Sequence, residues 1–121
     1  DHLNALQLPG WTFRPIYAKP YYGADQGKSA QGVQPYITDY SKANLSLLQF
    51  YVVEAIEKLF PTYNPIRNAK ELRLNMFDKV CGSSKIRKTF LDSGCKVSSI
   101  EEMWTAPAEE FRQRRKPYLL Y

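Results

Sequence analysis

Apolar and polar residues alternate from Trp11 to Ala18 around Phe13, Pro15 and Tyr17, the period of a half-buried β-strand. Pro15 has no N–H to give to a ladder, so this strand belongs at an edge or carries a bulge. Gly32 to Thr38 reads as a second strand, with Val33 and Ile37 spaced for one face or the core and Pro35 giving it the same edge character. Between the two, Lys19 to Gln31 is a long loop rich in Gly, Tyr and small polar residues, expected to hold Tyr21 and Tyr22 exposed. Ahead of the first strand, Asn4 to Pro9 is a loop or a short helix.

The period then changes. Leu45, Leu48, Val52, Ala55, Ile56 and Leu59 recur at helical spacing and predict one broad buried face, with Asp39 or Ser41 as the cap and Pro61 ending the helix near Phe60. Thr62 to Asn68 is a loop. Ala69 to Val80 is ambiguous: Asn68 with Glu71 has the form of a capping box, yet Leu72, Leu74 and Met76 alternate as in a strand. Ser83 or Ser84 caps a short helix carrying Ile86 and Phe90, and Gly94 supplies its left-handed stop. Ser99 with Glu102 forms a capping box for a last helix whose buried face is Ile100, Met103, Trp104 and Phe111. Pro107 should kink or restart that helix and Pro117 should end it, leaving Tyr118 to Tyr121 as a possible final strand. The sum is one α/β (or α+β) domain over residues 1–121. Its small sheet, from the early strands and the C-terminal tail, is expected to be covered by the Leu45–Phe60 and Ile100–Arg115 helices.

Composition narrows the class. A chain of 121 residues, 44% hydrophobic and 24% charged, suits one globular core. No apolar run reaches the roughly 18–20 residues of a membrane helix, so no span is expected. Asp1-His2-Leu3 is neither a signal peptide nor a start with Met, so the chain reads as a processed product or a piece of a longer one. The net charge of +5 suits an anionic partner, but only Arg112, Arg114, Arg115 and Lys116 form a run. Glu109 and Glu110 precede that run, an order that complements a helix dipole and points to a solvated helix end. Cys81 and Cys95 could pair in an oxidising compartment or serve as free small core residues; with one His they make no zinc site of ordinary spacing.

Catalytic chemistry is sparse. His2, the only histidine, lies at the terminus, so a Ser–His or Cys–His pair is not expected. Gly23 and Gly27 fit neither phosphate-binding fingerprint, and no cofactor is expected. Asp25 with Asp39 is the one carboxylate pair worth weighing, against a loop residue and a cap. Hydrolysis by the isolated chain is therefore not expected. More telling are Tyr17, Tyr21, Tyr22, Tyr36 and Tyr40, gathered around the two strands, with Lys19 and Lys28 in the same stretch. Flat rings stack on sugar faces and on domain surfaces alike, and cations attract an anionic ligand. No aromatic pattern of an RNA-binding sheet appears, so nucleic acid is not expected as the partner.

Several motifs fall in order: Leu8-Pro9-Gly10 with Phe13-Arg14-Pro15-Ile16-Tyr17, then Gly32-Val33-Gln34 leading to Ile37-Thr38-Asp39. Phe77-Asp78-Lys79-Val80-Cys81-Gly82 follows with Ile86-Arg87, Gly94, Ile100 and Trp104, and the chain closes with Phe111, Arg114 and Pro117-Tyr118-Leu119-Leu120-Tyr121. Across nearly the whole chain this resembles the C-terminal domain of the NamZ-type exo-β-N-acetylmuramidases, a bacterial family long described as a domain of unknown function. The resemblance implies a two-domain glycosidase whose Rossmann-like N-terminal domain carries the catalytic acidic residue. The C-terminal domain would pack beside it and shape the cleft. It further implies release of terminal N-acetylmuramic acid from peptidoglycan fragments by a periplasmic or exported enzyme. Many relatives have a Cys before the Gly-Val-Gln motif where this chain has Ala30-Gln31, so a role tied to that Cys does not transfer. No catalytic residue is expected in this chain. Arg14, Tyr17, Lys19, Tyr21 and Gln34 are the expected substrate-binding set, with the lactyl carboxylate of muramic acid as a reason for the cations. A free-standing carbohydrate-binding or protein-interaction module is the alternative.

Overall fold

The computed structural model describes every residue except Ala24, Asp25 and Tyr121. Its elements run α1 (His2–Ala5), β1 (Trp11–Ala18), β2 (Ala30–Ile37), α2 (Leu45–Leu59), α3 (Glu71–Cys81), α4 (Ser84–Asp92) and α5 (Ser98–Arg115), closed by a 3-10 turn at Lys116–Tyr118. A two-stranded antiparallel sheet with five helices is a small α/β architecture. The backbone gathers into two compact units, Asp1–Ser46 and Leu47–Tyr121, with the boundary inside the first turn of α2. No helix of the described residues is long and apolar enough to cross a membrane.

The first unit is a hairpin. β1 and β2 pair from Trp11↔Ile37 to Ala18↔Ala30. Both prolines fall where they do no damage. The Asn4 side chain donates to Phe13 O (2.8 Å) and accepts from Phe13 N (2.9 Å), so both backbone groups of Phe13 face away from β2. Pro15 shares that parity, and Pro35 is the partner of Phe13, so each ring nitrogen points off the ribbon and no ladder bond is lost. Phe13 and Leu3 are the buried apolar side chains of this unit. Gly10, at φ +76°, must be glycine: a Cβ there would lie 2.4 Å from Asp39 O and 2.7 Å from Ala43 N. Asp39 does not cap α2. Its Oδ1 accepts from Ser41 N (2.9 Å) and Ser41 Oγ (2.6 Å), closing a turn before the helix begins at Leu45.

The second unit is a helical core of Leu47, Phe50, Ile66, Ile86, Phe90, Cys95, Val97 and Ile100. Phe50 is its hub, with edge-to-face contacts to Phe90 (5.0 Å), Trp104 (5.2 Å) and Phe77 (5.8 Å). The buried face of α2 is rotated from the expected one. Leu47, Phe50 and Ala55 are buried, while Leu45 and Leu59 are exposed. α2 is apolar on several sides, so periodicity alone selects the wrong stripe. The ambiguous segment is α3. Leu74, Phe77 and Cys81 pack on the core, whereas Leu72, Met76 and Val80 stand exposed. Two apolar stripes on one helix produce the strand-like alternation.

Helix ends differ from their sequence signatures in two further places. Asn68 accepts from Asn64 N (2.8 Å) rather than capping α3, whose N-cap is Lys70. Ser99 donates to Lys96 O (2.6 Å), and the Val97 N–H at the start of α5 is taken instead by Glu54 of α2 at 2.9 Å. That carboxylate also complements the helix dipole. α4 matches its signature: Ser83 accepts from Lys85 N (3.0 Å), Gly94 adopts φ +74°, and Cys95 N donates to Phe90 O (2.8 Å). Arg87 of α4 makes a two-pronged pair with Asp78 of α3 at 2.6 and 2.7 Å.

The C-terminal expectations need correction. α5 continues through Pro107 from Ser98 to Arg115, so the helix does not restart there. Phe111 is 53% exposed because the helix outruns the core that covers Ile100. α5 ends at Arg115, ahead of Pro117 as expected, and Lys116–Tyr118 forms a 3-10 turn, so the described part of the tail adds no strand to the sheet; Tyr121 lies outside the described residues.

Candidate functional site

Side chains alternate across a strand, so the register sorts the hairpin into two faces. One carries Trp11, Phe13, Pro15 and Tyr17 with Gln31, Val33, Pro35 and Ile37. The other carries Thr12, Arg14, Ile16 and Ala18 with Ala30, Gly32, Gln34 and Tyr36. Near Trp11 the ribbon is partly covered, but from Arg14 to Ala18 and from Gln31 to Tyr36 it is exposed on both faces.

The structure brings together Arg14 and Gln34, which are direct cross-strand partners. It adds Tyr36, one step along the same face. The Arg14 guanidinium carbon sits 4.7 Å from the Tyr36 ring centroid, and the Tyr36 hydroxyl donates to Gln34 Oε1 at 2.9 Å. The ring holds the guanidinium by cation–π attraction, and the hydroxyl fixes the amide. Among the described residues no carboxylate pairs with Arg14. Its planar donors, the Gln34 amide nitrogen and the exposed ring edges face solvent as an unspent donor set.

The other expected residues do not join this cluster. Tyr17, 75% exposed, lies on the opposite face of β1. Lys19 and Tyr21 follow the strand in the connecting loop, where Tyr21 and Tyr22 are exposed as expected. That loop is folded back on itself, with Gly27 N donating to Pro20 O at 2.9 Å and glycines in left-handed conformation at 23 and 27. Tyr36 was visible in the sequence as one of the clustered tyrosines. What singles it out is the register, since a diagonal neighbour across a hairpin is defined only once the pairing is known.

Among the described residues no catalytic constellation accompanies these donors. Asp39 is committed to Ser41 and to Lys42 Nζ at 3.2 Å, and the Ser41 hydrogen bonds hold its carboxyl below the ordinary range, so it cannot serve as a proton donor near neutrality. Asp25, its possible partner, lies outside the described residues. Burial pushes the Cys81 and Cys95 thiols up, away from thiolate character, and both are free. No group of His, Cys, Asp and Glu suited to a metal occurs among the described residues. The arrangement can stack, donate hydrogen bonds and attract an anion.

Comparison with known proteins places the chain. The model of the family described as exo-beta-N-acetylmuramidase NamZ, C-terminal, matches residues 1–121. The chain is 34% identical over 121 residues to the peptidoglycan beta-N-acetylmuramidase NamZ of Bacillus subtilis, and that match covers all of this chain and 28% of the relative. The crystal structure of a DUF1343 family protein from Bacteroides fragilis superposes with a TM-score of 0.91 at 38% identity, over all of this chain and 31% of the other. The chain belongs to the NamZ C-terminal domain family, and it spans less than a third of the length of the relatives it matches.

Proposed function

We propose that this domain is the cleft-completing part of a peptidoglycan glycosidase that releases terminal N-acetylmuramic acid, and that the Arg14–Gln34–Tyr36 face of the hairpin contacts that sugar. The observation that carries this reading is the unspent donor set beside an aromatic ring on an exposed ribbon. A guanidinium without a carboxylate of its own is suited to the lactyl carboxylate that distinguishes muramic acid from other amino sugars. Tyr36 supplies an apolar ring edge, and Lys19 and Tyr21 follow β1 in the connecting loop, while Tyr17 lies on the opposite face of the strand. The catalytic acidic residue belongs to the part of the longer protein outside these residues, and its place of action is periplasmic or extracellular, where peptidoglycan fragments occur.

Two measurements test this. The purified 121-residue chain should release no product from a chromogenic muramic acid glycoside above a blank. In the full-length protein, Arg14→Ala should raise KM, with each lost charge-assisted contact worth roughly 1.5–3 kcal/mol, or about one to two decades. Lys19→Ala should shift KM in the same direction. Wild-type KM in both variants would remove the hairpin from the site.

A further inference from the structure

α5 is covered for only part of its length. Ile100 is fully buried, and Met103 and Trp104 pack on the core. Every described residue from Thr105 to Leu120 is exposed. The apolar stripe nevertheless continues. At 100° per residue, Ile100, Trp104 and Phe111 lie along one side of the helix. Beyond the helix the 3-10 turn and tail add Tyr118, Leu119 and Leu120, which are 80%, 48% and 95% exposed. The Arg114 guanidinium lies over the Phe111 ring at 5.8 Å.

An uncovered helix of this kind does not hold itself. Isolated helical segments below about 12–15 residues are marginal in water even with good helix formers, and Pro107 removes a backbone donor from this one. The side chains that could compensate locally are few: Glu109 pairs with Arg112 and Gln113, both at 2.7 Å on the surface. The helix therefore requires a second surface along the stripe. The relatives leave room for one, because about 70% of their length lies outside the segment this chain matches.

We infer that Thr105–Leu120 is a docking arm that seats Phe111, Tyr118, Leu119 and Leu120 on the remaining domain of the same polypeptide. The seat is apolar with an acidic rim, because Arg112, Arg114, Arg115 and Lys116 surround the stripe and outnumber Glu109 and Glu110. This inference rests on the family membership and not on the sugar-binding role of the hairpin.

Hydrogen–deuterium exchange on the full-length protein tests it. Amides from 105 to 115 should exchange at least about 100-fold more slowly than unstructured chain. Phe111→Glu should lower that protection at least about tenfold and open the Arg112–Lys116 run to trypsin, while peptides from the Phe50 and Phe90 core keep their protection. Arg14→Ala should leave the arm unchanged, which separates this proposal from the sugar site. Unstructured-chain exchange in the wild type would overturn the proposal. So would an arm indifferent to Phe111→Glu. Protection lost on dilution together with a dimer-to-monomer change would assign the seat to a second copy and overturn it as well.

Discussion

The hairpin unit and the helical unit are held by different forces. Leu47–Tyr121 closes around Phe50 and Phe90, both fully buried, with aromatic edges meeting ring faces. Among its described residues, Asp1–Ser46 has only Leu3 and Phe13 as buried apolar side chains, and it relies on a continuous ladder, the Asn4 clamp and the close approach at Gly10. A unit held mainly by backbone bonds need not spend its side chains on a core. Its strands can then present rings and cations on both faces, which is where the expected binding residues lie. The helical unit shows the converse: its side chains fill a core, and Glu54 and the Asp78–Arg87 pair join helices.

Breaking each unit should expose this contrast. The largest effect is expected from Phe90→Ala, which removes a ring from the centre of the helical core and should cost about 3–5 kcal/mol in denaturant unfolding. A loss below about 1 kcal/mol would show that the core is not the organising element. Asn4→Ala should matter less globally and act locally. It orphans Phe13 N and O, and should lower the free energy of hairpin opening by about 1–3 kcal/mol, read from exchange of the Phe13 amide. Unchanged exchange would mean the ladder alone fixes the ribbon.

A smaller effect sharpens the view of the helical unit. The Arg87 side-chain hydrogen bond holds Asp78 below its ordinary value of 3.8. A depressed carboxylate stabilises the fold above its unfolded-state pKa, and the contribution is lost as the pH falls through the lower folded value. The wild type should therefore lose stability below about pH 4, and Asp78→Asn should remove that part of the acid limb while lowering Tm at neutral pH. Identical acid limbs in the two proteins would show that the α3–α4 pair is not coupled to folding.

The legible parts of the fold were those with purely local causes. The strand around Phe13, the cap at Ser83 and the left-handed stop at Gly94 each need only a few neighbouring residues, and each appears as expected. The misreadings share another cause: partners distant in sequence. The Val97 N–H is satisfied by Glu54, 43 residues away, so the Ser99–Glu102 signature went unused. α3 was ambiguous between helix and strand because its second apolar stripe, Leu72, Met76 and Val80, stays exposed. The alternate stripe on α2 and the exposure of Phe111 likewise depend on where the core lies. At the site, Arg14 and Gln34 were readable as residue types, but their union with Tyr36 and the removal of Tyr17 to the other face follow from the register.

The central claim is that Arg14 reads the lactyl carboxylate. Its most direct test is the ratio of kcat/KM for a muramic acid glycoside to that for the matching N-acetylglucosamine glycoside, which lacks the lactyl group, in the full-length protein and its Arg14→Ala variant. Thermal unfolding checks that the fold is intact, since an exposed substitution should change stability by no more than about 0.5 kcal/mol. The account predicts that the ratio falls by roughly one to two decades in the variant, because the lost contact exists only with the carboxylated sugar. An unchanged ratio in a folded variant would contradict it.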